Sequence, residues 1–73
     1  MSLPESAAEL WEIIRAVCTE PEIELLELLD EHPAWGMRSA AKELGISLSA
    51  ARDRHRAAER KIRQEVAARR GIR

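Results

Sequence analysis

Apolar residues recur along this chain at the spacing of amphipathic helices. The first stripe has the i, i+3, i+4 pattern of one helical face and comprises Leu10, Ile13, Ile14 and Val17. No segment alternates apolar and polar residues as a half-buried strand would, and β-branched residues are few. Proline and glycine are also sparse, with three of each. The pattern predicts an all-α fold of four helices.

Start signals for the first two helices stand out in the sequence. Residues 2–5 (Ser-Leu-Pro-Glu) have the form of a capping box with proline in the first turn, which predicts a first helix over about residues 3–17. Residues 6–9 (Ser-Ala-Ala-Glu) offer an alternative start. Residues 19–22 (Thr-Glu-Pro-Glu) repeat the signal and predict a second helix that ends near Glu31. Pro33 disfavours helical backbone at His32, so the second helix is expected to end before that residue.

The third and fourth helices are predicted to be separated by a tight turn. The third covers about residues 37–44 and ends at Gly45, a residue suited to a left-handed cap. Ser47 or Ser49 caps the fourth helix, which meets no breaker before Gly71 and is roughly 20 residues long, about 30 Å.

The fourth helix has two dissimilar sides at 100° per residue. One side is largely apolar and is expected to pack on the other helices; it comprises Leu48, Ala51, His55, Ala58, Ile62 and Val66. The opposite side is polar and basic, flanked by Arg52 and Arg63, and comprises Ser49, Asp53, Arg56 and Arg60. This arrangement predicts a helix that is packed on one side and meets a charged partner on the other.

Charge divides the single predicted domain, residues 1–73, into two halves. Residues 1–36 form an acidic helical half with nine acidic residues and one basic one, whereas residues 37–73 form a basic helix-turn-helix half with eleven basic and four acidic residues. The halves carry −8 and +7, which gives the net charge of −1. A local basic surface of this kind favours nucleic-acid binding, despite a pI near 6.1.

Composition narrows the classes of function. Tyrosine and phenylalanine are absent, which disfavours an aromatic platform for single-stranded nucleic acid. One cysteine, Cys18, cannot form an internal disulfide, so we expect a reducing, cytoplasmic compartment. No apolar run is long enough for a membrane span, and the acidic N-terminus is unlike a signal peptide. Two isolated histidines and no nucleophile or phosphate-loop motif predict no enzymatic activity, no metal and no cofactor.

The segment Leu44-Gly45-Ile46-Ser47, followed by Ala51-Arg52 and by residues 58–63 (Ala-Glu-Arg-Lys-Ile-Arg), resembles region 4 of bacterial sigma factors. The upstream segment Thr19-Glu20-Pro21-Glu22, followed by a leucine-rich helix, is similar to the Leu-Thr-x-x-Glu opening of that family. Response-regulator effector domains share much of this pattern, and the resemblance covers about residues 19–63. It implies a bacterial or phage helix-turn-helix protein that binds double-stranded DNA in transcription regulation. It places base reading at Leu48, Ser49, Arg52 and Asp53. Together with the basic pattern, it gives as DNA-backbone contacts Arg38, Arg56, Arg60, Lys61 and Arg63.

Several alternatives stay open at this point. The same fold is compatible with a phage terminase small-subunit domain or an excision factor. A different class is a protein-interaction module that binds RNA polymerase or another regulator through its acidic helices. Ile62 and Val66 either pack within the domain or pair with a second chain in a homodimer. Trp11 and Trp35 are expected to be core anchors, with an exposed interface position as the alternative for Trp35.

Overall fold

The computed structural model describes residues 6–71 and contains four α-helices. The helices are α1 (Ala7–Val17), α2 (Glu20–Glu31), α3 (Met37–Leu44) and α4 (Leu48–Arg69). No strand occurs within residues 6–71. The all-α prediction is therefore confirmed, and the number and order of the helices agree with the sequence pattern.

The first helix begins at the later of its two predicted starts. Ser6 has extended backbone (φ −143°, ψ 157°), and its side-chain oxygen accepts a hydrogen bond from the Glu9 backbone N–H at 3.1 Å. That geometry is an N-cap, because the serine oxygen satisfies an amide that the first helical turn leaves without a partner. A helix running unbroken from residue 3 is therefore wrong, and the earlier capping box at residues 2–5 lies outside the described residues.

The start of α2 is a reciprocal capping box, as the sequence predicts. The Thr19 hydroxyl accepts from the Glu22 backbone N–H at 3.4 Å, and the Thr19 backbone N–H donates to the Glu22 carboxylate at 2.8 Å. Pro21 occupies the first turn, where its missing N–H costs nothing. The helix ends at Glu31, with His32 as its C-cap ahead of Pro33.

A three-residue connection joins α3 to α4. Gly45 adopts a left-handed conformation (φ 70°, ψ 31°), and the Ile46 N–H donates to the Ala41 carbonyl at 3.0 Å, which closes the end of α3. Ser47, rather than Ser49, caps α4 by accepting from the Ala50 N–H at 3.0 Å. The 22 residues of α4 span about 33 Å, comparable to the 38 Å longest extent of the molecule.

The core is built around α4, which packs against α1, α2 and α3. Its buried positions are Ala51, Ala58 and Val66, while Leu48, His55 and Ile62 on the same side are half-buried. Alanines at the contact positions let the helix axes approach closely. The other buried apolar side chains are Ile13, Ile14, Leu25, Ala40 and Ala41.

Some residues expected in the core are only half-buried. Val66 packs internally, as one of its two predicted roles required, but Ile62 keeps part of its surface exposed. Trp11 and Trp35 are both half-buried rather than enclosed. The Trp35 ring stacks on His32 with 3.9 Å between ring centroids and 9° between planes, so it organises the α2–α3 connection.

Candidate nucleic-acid interface

The polar side of α4 forms one exposed strip, which we call the outer face of α4. All its members are exposed, and they comprise Ser49, Arg52, Asp53, Arg56, Arg60 and Arg63. The buried Ala51 and Ala58 lie on the opposite side of the helix, so packing against the other helices fixes the direction of the strip. Four of these six residues are arginines, which makes the strip suited to an anionic partner.

Two of these arginines have carboxylate neighbours on the same helix. Arg56 lies 3.3 Å from Asp53, and Arg63 lies 3.2 Å from Glu59. These pairs are largely exposed to solvent, so each contributes little stability and exchanges readily for another anion. Arg52 and Arg60 form no ion pair with any residue in the range 6–71, and their guanidinium groups therefore need no internal contact to be broken.

Base-reading positions predicted from the sequence lie in the first two turns of α4. Ser49, Arg52 and Asp53 are exposed, and Leu48 is half-buried because it also begins the packed side. The structure thus brings three of the four onto the solvent side at one end of the outer face.

Lys61 occupies a different environment from the one predicted for a DNA-backbone contact. Its ammonium donates to both carboxylate oxygens of Glu22, at 2.9 and 3.0 Å, across the α2–α4 interface. Lys61 is about 100° around the helix from Arg60, on the side that faces α2. Its charge is compensated inside the domain, so we do not assign it to the interface.

The Glu22 carboxyl is buried, with only 6 % of the residue exposed. Burial raises its pKa, but the hydrogen bond from the Thr19 backbone N–H and the hydrogen bond and charge of Lys61 outweigh burial, so its pKa lies below the usual value. The carboxylate therefore stays ionised and has partners for its charge. The nearby Cys18 thiol has a raised pKa, chiefly through burial and secondarily through the Glu22 charge, which makes it a poor nucleophile at neutral pH.

Arg69, the last residue of α4, and its C-cap Arg70 are attached to α1. Arg69 lies 2.7 Å from Glu12 and 2.9 Å from Glu65, and Arg70 lies 3.7 Å from Glu9. These contacts fix the C-terminal end of α4 beside the first helix. Their cations therefore serve the fold, even though they belong to the basic half of the sequence.

Lys42 on α3 was not among the predicted DNA-backbone contacts, whereas Arg38 was. Arg38 is exposed, as a backbone contact would require, and Lys42 is exposed one helical turn later on the same side of α3. The i, i+4 spacing of the two cations was the available signal for Lys42. Together they supply a second basic group outside α4.

Neither a metal site nor a membrane-spanning helix is found in the part of the chain that the structure describes. Within residues 6–71, no group of three or more potential ligand side chains could hold a metal ion. None of the helices there has the length and apolar character needed to cross a membrane.

Comparison of the chain with protein-family models, with curated proteins and with solved structures gives no match. The likeness to sigma factor region 4 therefore rests on the short segments of residues 44–63 and on the α2 start, without support from a wider similarity.

Proposed function

We propose that the protein binds double-stranded DNA through the outer face of α4 and acts in transcription regulation. The observation that carries the proposal is the arginine-rich strip on one side of a helix whose other side is packed against the domain. The three-residue turn that precedes α4 also supports the proposal, because the two helices of a helix-turn-helix are joined by a short turn that often contains glycine, here the left-handed Gly45.

The proposed docking places α4 in the major groove, which is about 12 Å wide and admits a helix. The N-terminal turns approach the base edges, where the Arg52 guanidinium pairs with guanine O6 and N7 and the Asp53 carboxylate accepts from cytosine N4. Ser49 donates to or accepts from a base edge, and Leu48 contacts a thymine methyl group.

Phosphate contacts in this proposal come from the remainder of the outer face. Arg60 approaches the backbone directly, while Arg56 and Arg63 exchange their exposed carboxylate partners for phosphate oxygens. On α3, Arg38 and Lys42 reach a flanking phosphate. These contacts set the register of the helix and carry little sequence information themselves.

The test is fluorescence anisotropy of a labelled duplex of random sequence, measured over a series of salt concentrations. If the proposal is right, log affinity falls linearly with log salt, with a slope of about −0.9 for each phosphate neutralised. Arg60→Gln removes one proposed phosphate contact and should make that slope shallower by about 0.9. Arg15→Gln removes the same charge from an exposed position on α1 and should leave the slope unchanged.

Two results would contradict this assignment. One is the absence of binding even at low salt. The other is an equal loss from Arg60→Gln and Arg15→Gln, since that would show that total charge, rather than the outer face of α4, determines the interaction. A subsequent selection from random duplexes identifies the preferred sequence.

A further inference from the structure

The acidic residues of the described chain fall into two groups, apart from Glu43 on α3, which is exposed and has no ion pair within residues 6–71. One group is paired with cations of the same chain and comprises Glu9, Glu12, Glu22, Asp53, Glu59 and Glu65. The other group lies on α2, is exposed, and has no ion pair within residues 6–71; it comprises Glu20, Glu24, Glu27, Asp30 and Glu31. Internal packing therefore does not account for the charges on the exposed side of α2.

A shallow groove lies between α1 and α2 beside these residues. Its walls are Trp11, Arg15, Glu27, Asp30 and Glu31, and we call it the α1–α2 groove. It combines a half-buried indole with three carboxylates and a single guanidinium. The groove therefore has an apolar surface and a net negative charge.

A cation already lies over the indole in this groove. The guanidinium carbon of Arg15 is 5.9 Å from the centre of the Trp11 ring, within the range of a cation–π interaction. The position of the Trp11 ring therefore suits a guanidinium, which Arg15 supplies within the chain. Arg15 compensates only one of the three carboxylate charges, so the groove retains capacity for further cations.

We propose that the α1–α2 groove binds a Lys/Arg-rich helical segment of a partner protein. One arginine or lysine of that segment packs over Trp11, where it replaces or joins Arg15, and neighbouring cations pair with Glu27, Asp30 and Glu31. Because an aromatic face lies beside the carboxylates, this site should prefer an arginine or lysine side chain to a simple cation, which exposed carboxylates alone would not do.

The sign of the charge selects a protein rather than a nucleic acid or an anionic membrane. The phosphates of either would be repelled by the exposed carboxylates of α2. The groove is formed by α1 and α2, whereas the proposed DNA interface is formed by α3 and α4. A basic partner and duplex DNA therefore do not compete for the same residues.

The experiment uses a synthetic helical peptide of alternating lysine, arginine and leucine, titrated into the ¹⁵N-labelled full chain at about 0.15 M salt, where long-range attraction between exposed charges is largely screened. The indole N–H signals of the two tryptophans provide the measurement. We expect the Trp11 signal to move to saturation while the Trp35 signal stays in place. A peptide with glutamate at the basic positions should move neither.

Matched variants distinguish binding in the α1–α2 groove from attraction to the total negative charge of the protein. Glu27→Gln with Asp30→Asn should weaken peptide binding about tenfold, which corresponds to about 1.4 kcal/mol. Glu20→Gln with Glu43→Gln removes the same charge from exposed positions outside the groove and should have a much smaller effect. Trp11→Leu keeps an apolar side chain but removes the π surface together with its indole signal, so binding to this variant is followed by the backbone amide signals of Glu27 and Asp30. It should be weaker although all three carboxylates remain.

Three outcomes would overturn the proposal: no movement of the Trp11 signal, equal losses from the two charge variants, or self-association without peptide that perturbs Trp11. The last would assign the groove to the basic surface of a second copy. The groove variants should keep the duplex salt slope of the wild-type protein. Failure of the peptide experiment is therefore distinguishable from failure of the DNA proposal.

Discussion

The Lys61 ammonium donates to both carboxylate oxygens of Glu22, at 2.9 and 3.0 Å, and this pair joins the middle of α4 to the first turn of α2. Glu22 also accepts from the Thr19 backbone N–H at 2.8 Å. One carboxylate thus caps α2 and holds α2 against α4. A residue in the centre of the basic helix thereby serves the fold, although its neighbours Arg60 and Arg63 face solvent.

Removing the cation of this pair should destabilise the domain. Lys61→Ala leaves a buried carboxylate with only its Thr19 partner, and we expect a loss of about 1–3 kcal/mol in the free energy of unfolding, as for a charged hydrogen bond. Lys61 is itself partly exposed, which keeps the loss below that of a fully buried pair. Urea denaturation measures the change.

A matched comparison distinguishes this structural role from a DNA contact. Arg60→Ala should alter stability little, because Arg60 is exposed and has no ion pair with another described residue. It should weaken DNA binding, whereas Lys61→Ala should leave the salt slope unchanged where the variant is folded. A shallower salt dependence of DNA binding for folded Lys61→Ala would show that Lys61 does contact DNA.

Glu22 should also make stability depend on pH. Because its pKa is lowered in the folded state, its contribution is fully present above the unfolded value of about 4.3 and is lost as pH falls through the folded value. We expect the urea midpoint to drop more steeply below about pH 4 in the wild-type protein than in Glu22→Gln. Parallel pH profiles of the two variants would show no link to Glu22.

Local signals carried most of the fold prediction. The bounds of α3, its Gly45 cap and the Thr19 capping box are each set by a few adjacent residues, so sequence spacing was sufficient. The start of α1 was ambiguous because residues 2–5 and 6–9 carry similar signals. Only the extended backbone of Ser6 distinguishes them.

The candidate interface was partly predictable. Helical periodicity placed Arg52, Arg56 and Arg60 on the exposed side of α4, because the opposite side had to pack. It could not show that Lys61 pairs with Glu22, since the two are 39 positions apart in sequence. A contact of this kind depends on how α2 and α4 pack, which periodicity within one helix does not encode.

Substituting Gly45 tests whether the turn between α3 and α4 depends on its left-handed backbone. Its φ of 70° is strained for a residue with a Cβ, so Gly45→Ala should destabilise the domain by about 1–2 kcal/mol even though the added Cβ meets no atom within 4 Å. Gly36→Ser is the matched control, because Gly36 has ordinary extended backbone, equally open surroundings and no side-chain cap. It should be neutral or stabilising by a few tenths of a kcal/mol. Thermal denaturation monitored by circular dichroism compares them, and equal effects would show that the left-handed backbone is not the cause.

Arg52 and Arg56 should affect DNA binding in different ways. Arg52→Ala removes the proposed bidentate contact with guanine, so it should cost about 1–3 kcal/mol on the preferred duplex and relax the preference at one base pair. Arg56→Ala removes a proposed phosphate contact and should weaken binding to preferred and random duplexes alike. Both residues are exposed on α4, so neither substitution should unfold the domain. Anisotropy on the two duplexes gives the ratio of affinities for each variant. If Arg52→Ala lowers both affinities equally and leaves the ratio unchanged, Arg52 contacts the backbone, and the bases are read by other residues at the N-terminal end of α4.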